Sequence, residues 1–273
     1  MRRCKCSRCR SGLRRARNEI TIQLIALEPR SMSTEYAFDP TTGQVVGHLP
    51  LRLRSIDLNN GDEMTREEFH RIYEDTPEDF KAELIGGVVY VASPVRISHG
   101  QPHGLLAALY AAYASRTEGV EFCDNTTVFL GVDSEVQPDL LLRILPACGG
   151  QSTTSEDDYI VGPPEFVSEI ALSSRAVDLN TKKRKYAQYG VREYFVWCAK
   201  ENALRWFDLA SGTELQPDTN GIYRVHAFPG LWINGPALLT HDHAAMMQTL
   251  EAGLAMPEHA AFVEELARRR ASK

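Results

Sequence analysis

The run Phe166-Val167-Ser168-Glu169-Ile170-Ala171-Leu172 places a carboxylate in the middle of a mostly apolar stretch. Its Phe, Val and Ile content reads as a β-strand. A charge inside such a strand is costly unless it is paired or binds a cation. Whatever this chain folds into must therefore bring Glu169 a partner. Two nearby segments offer one. Upstream, Pro138-Asp139 heads the apolar run Leu140-Leu141-Leu142, and the span Val136 to Ile144 reads as a strand carrying Asp139. Pro138 is tolerable there only at the beginning or on an edge, because it has no N–H to donate. Downstream, Asp178-Leu179-Asn180-Thr181-Lys182-Lys183-Arg184-Lys185-Tyr186 reads as a basic helix. Asp178 has the character of an N-cap, and Gly190 that of the stop after Tyr189. Two acids on neighbouring strands repel unless a cation or proton separates them. Carboxylate oxygens suit a hard cation such as Mg²⁺, which keeps several waters and takes one or two protein carboxylates. A lysine beside such a site can orient or deprotonate an attacking water and offset phosphate charge.

The rest of the chain supplies a frame for these segments. Thr65 and Glu68 in Met64-Thr65-Arg66-Glu67-Glu68-Phe69 have capping-box spacing and predict a helix with Phe69, Ile72 and Tyr73 on one face. Ala82 to Val91 holds two β-rich runs joined by Gly86-Gly87, a hairpin signal, with Glu83 at the start of the first strand. Ser98 to Thr117 reads as an amphipathic helix burying Leu105, Leu106, Leu109, Ala112 and Tyr113. His99 and His103 lie four apart on it, a spacing that can chelate a metal, but no His-Glu-x-x-His pattern accompanies them, and a polar-face reading is preferred. Glu121 to Leu130 and Val191 to Trp197 read as strands. Leu204–Asp208 and Tyr223–Ala227 suggest a closing antiparallel pair around Asp218-Thr219-Asn220-Gly221, before two short helices near 236–251 and 257–270. The stretch from Pro146 to Pro164 is a long loop whose acids, Glu156, Asp157 and Asp158, read as a solvated surface. Strands followed by a helix, after an opening helix and hairpin, predict an α/β domain with a central mixed β-sheet flanked by helices.

Composition sets limits. Net charge is −6 over 273 residues, yet residues 1–31 hold nine basic side chains against Glu19 and Glu28, which leaves about −13 on the remainder. So acidic a body is no general nucleic-acid coat, because phosphate binding is driven by Lys and Arg; any such contact needs a local basic patch. No apolar run reaches the roughly 20 residues that span a bilayer, and the N-terminus lacks a signal-peptide pattern. Cys4, Cys6 and Cys9 crowd the N-terminus while Cys123, Cys148 and Cys198 are scattered. They make no secreted disulfide framework, and a cytoplasmic setting is expected. The N-terminal Cys cluster offers three thiolates with no near fourth ligand for zinc. Residues 1–60 read as a basic, Cys-containing tail and linker without fixed structure, in which Met32 is a candidate true start. Residues 61–235 are then the folded domain, and 236–273 a C-terminal helical segment packed on it or trailing it.

Five blocks in order add a family resemblance: Met64–Phe69 (Met-Thr-x-Glu-Glu-Phe), Glu83–Gly87 (Glu-Leu-Ile-x-Gly), Pro138-Asp139, Glu169–Ser173 (Glu-Ile-x-x-Ser), and Lys182-x-x-x-Tyr186 followed by Gly190-Val191-Arg192-Glu193-Tyr194. Phe228-Pro229-Gly230-Leu231-Trp232 looks like the same family's closing segment. The set resembles the Uma-two family of endonuclease-like proteins in the PD-(D/E)XK nuclease superfamily and covers about half the chain. The resemblance implies a restriction-endonuclease-like core, with Asp139 and Glu169 as metal ligands, Glu83 as a further acid, and Mg²⁺ (or Mn²⁺) as the cofactor. The superfamily places its lysine two residues after the acid, where this chain has Ala171; the resemblance moves that role to Lys182 on the following helix. His103 falls where the family often has histidine and is a second-tier candidate. The expected activity is metal-dependent endonucleolytic hydrolysis of DNA phosphodiesters, with RNA as a weaker option. Homodimerisation is expected on the ground that cutting a duplex usually needs two sites. The alternative is a catalytically inactive nuclease-fold module that binds nucleic acid or a protein partner; the acidic body and Ala171 favour it, while Asp139, Glu169 and Lys182 favour the enzyme.

Overall fold

The computed structural model describes residues 36–38, 45–48 and 58–272. The chain divides into two units, Met1–Ser55 and Ile56–Lys273. In the first, β1 (Tyr36–Phe38) pairs antiparallel with β2 (Val45–His48), within a stretch expected to be linker throughout. The N-terminal Cys cluster and basic tail lie outside the described residues.

In the second unit, α1 (Arg66–Tyr73) starts on the expected capping box: Glu68 N–H donates to Thr65 Oγ1, and Thr65 N–H to Glu68 Oε2. The hairpin β3 (Ala82–Ile85) and β4 (Val88–Val91) turns at Gly86 and Gly87, whose φ of +64° and +82° only glycine adopts without strain. After α2 (Ile97–Ala114) come β5 (Val120–Asp124), β6 (Val128–Gly131), β7 (Ser134–Val136) and β8 (Leu140–Ile144). The loop that follows is shorter than expected, being broken by a helical turn at Pro146–Cys148 and by β9 (Thr153–Thr154) and β10 (Ile160–Val161). Its acids Glu156, Asp157 and Asp158 are exposed. Then come β11 (Phe166–Ala171), a widened helical turn over Val177–Lys182 that runs into α3 (Lys183–Tyr189), and β12 (Glu193–Cys198). The chain ends with β13 (Ala203–Asp208), β14 (Thr213–Leu215), β15 (Ile222–Arg224), β16 (Trp232–Asn234), α4 (Gly235–Leu239), α5 (His243–Leu254) and α6 (Pro257–Ala271).

The expected mixed sheet is present as two sheets of six strands, in the orders β4-β3-β7-β6-β10-β9 and β14-β13-β12-β11-β8-β5. Each is mixed: β10 runs parallel to β6, β11 parallel to β12, and the remaining pairings are antiparallel. Two single-strand expectations fail at the passages between sheets. Glu121 to Leu130 breaks into β5 and β6, which lie in different sheets, and Asn125 takes φ +48° in the break. Val136 to Ile144 breaks at Gln137-Pro138-Asp139, so Asp139 precedes β8 rather than lying in it. The closing pair is also differently made. β13 pairs with β12 and β14, whereas β15 pairs with β16, because Gly230 (φ +88°) makes the chain turn within Ala227–Leu231.

Strand alternation explains how the layers stack. In β11 and β12 the side chains of Phe166, Ile170, Phe195 and Trp197 join Leu105, Leu106, Leu109, Tyr110 and Tyr113 of α2 in one core. Val167, Ala171, Tyr194 and Val196 face the other way, against Ile85, Val128, Leu130 and Val136 of the first sheet and Tyr186 of α3. The predicted buried face of α2 holds except that Tyr110 is fully buried and Ala112 only half-buried. Met246 and Leu250 of α5 and Leu266 of α6 belong to the α2-side core, so the C-terminal helices pack on the domain. Phe69 of α1 covers the outer face of the first sheet with Leu84 and Val89. No helix among the described residues is long and apolar enough to cross a membrane.

Candidate functional site

Alternation puts Glu169 on the face of β11 that looks toward the first sheet, with Val167 and Ala171 as its neighbours two residues away. On β3, Glu83 shares its face with Ile85, which looks toward the second sheet. The two acids thus point into the same layer from opposite sides. Lys182 lies between them: its Nζ is 2.8 Å from Glu169 Oε1 and 2.9 Å from Glu83 Oε2. Tyr186, one helical turn on, donates its hydroxyl to the same Glu169 Oε1 at 2.9 Å. Glu83 is fixed at its other oxygen by the Gln137 N–H at 2.7 Å. Asp139 meets Glu169 through the backbone. Its N–H lies 3.4 Å from Glu169 Oε2, and its own Oδ2 accepts the Ile170 N–H at 2.6 Å. The structure therefore brings Glu83, Asp139, Glu169 and Lys182 into one cluster. His103 reaches the edge of it, with Nε2 3.2 Å from the Asp139 carbonyl and 3.1 Å from Asp124 Oδ1.

Of four consecutive basic residues, only the first, at the end of the widened turn, is buried. Lys182 is buried at 4% exposure. Lys183 instead rests over the Phe207 ring, Lys185 pairs with Asp133, and Arg184 is exposed. Asp178 and Lys182, four residues apart in the widened turn Val177–Lys182, are both buried, and such turns are frequent at functional sites. This corrects the N-cap assignment of Asp178. The helical backbone begins by Arg175, and the Ser174 carbonyl accepts the Val177 and Asp178 N–H groups. Asp178 is 1% exposed, takes the Ser174 hydroxyl on Oδ2, and has no hydrogen-bond partner on Oδ1. Sequence reasoning missed both its burial and the Tyr186 contact. Ala171, two residues after Glu169, packs in the core between the sheets.

Two carboxylates pair directly with one ammonium and two more acids, Asp178 and Asp139, feel its charge, and the charges sort themselves accordingly. Burial pulls the Lys182 pKa down, but Glu169, Glu83 and Asp178 together hold it well above the usual lysine value. The shift favours the ammonium form, while burial raises Glu169, its partner at 2.8 Å, well above the ordinary glutamate value against the pull of Lys182. Burial also opposes the charge of Asp139, yet the His99 hydrogen bond and charge, the Ile170 N–H and Lys182 keep it below the ordinary aspartate value. Asp178 goes the other way: burial, and repulsion from Glu83 and Asp139, lift it to about 6 against the pull of Lys182 and Ser174. Because folding raises this pKa, the native state holds the proton more tightly than the unfolded chain. The stability this provides is complete below the unfolded value of 3.8 and is lost as pH rises from there through about 6. The full penalty of ionisation is roughly 3 kcal/mol. Asp178→Asn keeps the neutral shape, so it should unfold at higher urea than wild type at pH 7–8, with the gain fading by pH 4. An equal gain at both pH values would show that Asp178 does not titrate there.

Among the described residues, no three His, Cys, Asp or Glu side chains converge into a ready-made metal set. The donor chemistry nonetheless fits a cation that takes few protein ligands. Asp139 Oδ1 has no hydrogen-bond partner among the described residues, and Glu169 Oε2 has only the long Asp139 contact. Asp178 Oδ1, in the same region, is buried without a hydrogen-bond partner. Two free carboxylate oxygens, with water completing the shell, are what Mg²⁺ takes.

The profile of the Uma2 family, described as "Putative restriction endonuclease", matches residues 66–237. No curated protein matches the chain. Among solved structures, a crystal structure of "a putative nuclease belonging to DUF820" from Anabaena variabilis is similar, with a TM-score of 0.50 and 14% identity over 62% of this chain and 96% of that one. At that identity the likeness shows the fold.

Proposed function

The chain belongs to the Uma2 family, described as "Putative restriction endonuclease", and from that premise we propose that it is a Mg²⁺-dependent endonuclease (Mn²⁺ serving as well) that hydrolyses phosphodiester bonds of DNA. The observation that carries this is the joining of Glu83 and Glu169 on one buried ammonium with Asp139 bound to the same Glu169, an oxygen being left over on each of Asp139 and Glu169. Asp139 Oδ1 and Glu169 Oε2 would hold the cation. Once bound, it supplies a Lewis acid for a phosphate oxygen and lowers the pKa of a bound water.

The chain's own groups place charge rather than move protons. Lys182 and Tyr186 both engage Glu169 Oε1, which keeps that carboxylate oriented and leaves Oε2 free. Glu83, anchored by the Gln137 N–H, fixes the ammonium from its other side. Lys182 thus does from a helix what the superfamily does from the strand, where Ala171 stands. Its role is a fixed positive charge beside the incoming phosphate, not a base. His103 braces the Asp139 backbone. A homodimer would supply the second site needed to cut both strands.

The acidic body favours a second reading, a nuclease-fold module that binds nucleic acid or a protein partner without cutting. One experiment separates the two. Supercoiled plasmid and a matched RNA are incubated with the protein in Mg²⁺, in Mn²⁺ and in EDTA, beside Glu169→Ala purified identically. The endonuclease gives nicked or linear DNA with either metal and none in EDTA or with the variant. Retention of nucleic acid without cleavage under every condition would establish the binding module instead, and cleavage of RNA alone would change the substrate.

A further inference from the structure

We propose that His99 is a positioning residue that sets metal selectivity, by occupying one carboxylate oxygen of Asp139 so that a cation can be taken only through the other. The inference rests on the metal-site reading above. His99 lies in the first turn of α2, an element of the opposite core layer, and its Nε2 is 3.1 Å from Asp139 Oδ2. The Ile170 N–H reaches the same oxygen at 2.6 Å. Two donors on Oδ2 use both of its in-plane lone pairs, and none is found on Oδ1 among the described residues.

The surroundings hold Asp139 still. Its carbonyl accepts the Asn125 N–H at 3.2 Å and lies 3.2 Å from His103 Nε2. The His103 ring stacks on that of His99, with centroids 5.9 Å apart and planes at 21°. The backbone donor alone would fix one oxygen but leave the carboxylate plane free to pivot about it. A second donor from a different element fixes the plane. His99 therefore makes Asp139 a single-oxygen ligand.

That restriction has a chemical consequence. Mg²⁺ demands near-ideal octahedral geometry and small oxygens placed singly, whereas Ca²⁺ accepts carboxylates with both oxygens at longer range. A carboxylate confined to Oδ1 suits the first and handicaps the second. Outer partners of ligating groups typically account for 10–100-fold in metal affinity.

The test is calorimetric titration of the full chain with MgCl₂ and with CaCl₂, for wild type, His99→Ala, His99→Gln and Asp139→Ala, each checked for an unchanged thermal midpoint. His99→Ala should bind Mg²⁺ about 10–100-fold more weakly, with Ca²⁺ affected less, so that the ratio of the two affinities shifts toward Ca²⁺. Gln offers an N–H at similar reach and should restore most of the Mg²⁺ affinity. Equal weakening of both metals, or no change in either, would overturn the role of His99 while Asp139→Ala still abolishes binding. If Asp139→Ala binds as wild type does, the metal site itself is wrong and the His99 proposal falls with it. Should His99→Ala unfold, His99→Leu, which also lacks a donor, is judged by the same criteria: a ratio shifted toward Ca²⁺ that His99→Gln restores supports the donor role, and an unshifted ratio overturns it.

Discussion

Lys182→Met should lower the unfolding free energy by about 3–5 kcal/mol, the usual loss when one partner of a buried ion pair is removed. The size follows from what remains. Glu169, 4% exposed, would face Glu83 with no cation between them, and both carboxylates would be left without the donor at 2.8 and 2.9 Å. Methionine has similar bulk and is apolar, so a cavity contributes little. The double variant Lys182→Met/Glu169→Gln removes the stranded charge along with its partner and should recover much of the loss, since neutral replacement of a whole buried pair is often nearly free. Urea unfolding of the two variants at neutral pH measures both. A loss below about 1 kcal/mol, the range of solvated surface pairs, would mean that the ammonium is hydrated and the cluster is not a buried one.

Asp139→Asn should abolish metal binding and lower cleavage by at least about a thousandfold. Metal stabilisation of the developing charge amounts to several kcal/mol, and each 1.36 kcal/mol is tenfold in rate. Asparagine keeps the shape of the side chain and an oxygen able to take the Ile170 N–H and His99 contacts. What it lacks is the negative charge, so the fold should change little while binding is lost. Initial rates on plasmid with saturating Mg²⁺, paired with calorimetry, give both numbers. Full activity in this variant would remove Asp139 from the chemistry.

How much of this could be read from the sequence depended on how local the signal was. The capping box of Thr65 and Glu68, the Gly86-Gly87 turn and the β11 strand are set by residues within a few positions of each other, and each formed as expected. The sheet division was hidden because β5 and β6 look like one β-rich run, and only the positive φ of Asn125 separates them. Glu169 stood out because an acid in an apolar strand needs a partner; its partner did not stand out, being one of four adjacent basic residues. The selection of Lys182 came from family resemblance; the widened turn that carries it has a hydrogen-bond register that leaves no mark in composition. Asp178 was misread for a related reason. An aspartate before a helix resembles a cap whether it is exposed or buried, and only the earlier helix start at Arg175 decides between them.

The Glu83–Lys182 contact also has a consequence in time. It closes a loop of about a hundred residues, against an entropy cost that grows with the logarithm of length and returns nothing until both ends are in place. The hairpin and the β11–β12 pairing can each form from nearby segments, whereas the cluster needs both, and the expected order is that it assembles after the rate-limiting step of folding. Contacts made that late govern escape from the native state rather than entry into it. In stopped-flow mixing, the Lys182→Met protein should therefore refold about as fast as wild type and unfold much faster: the charges at the centre of the site act as its latch.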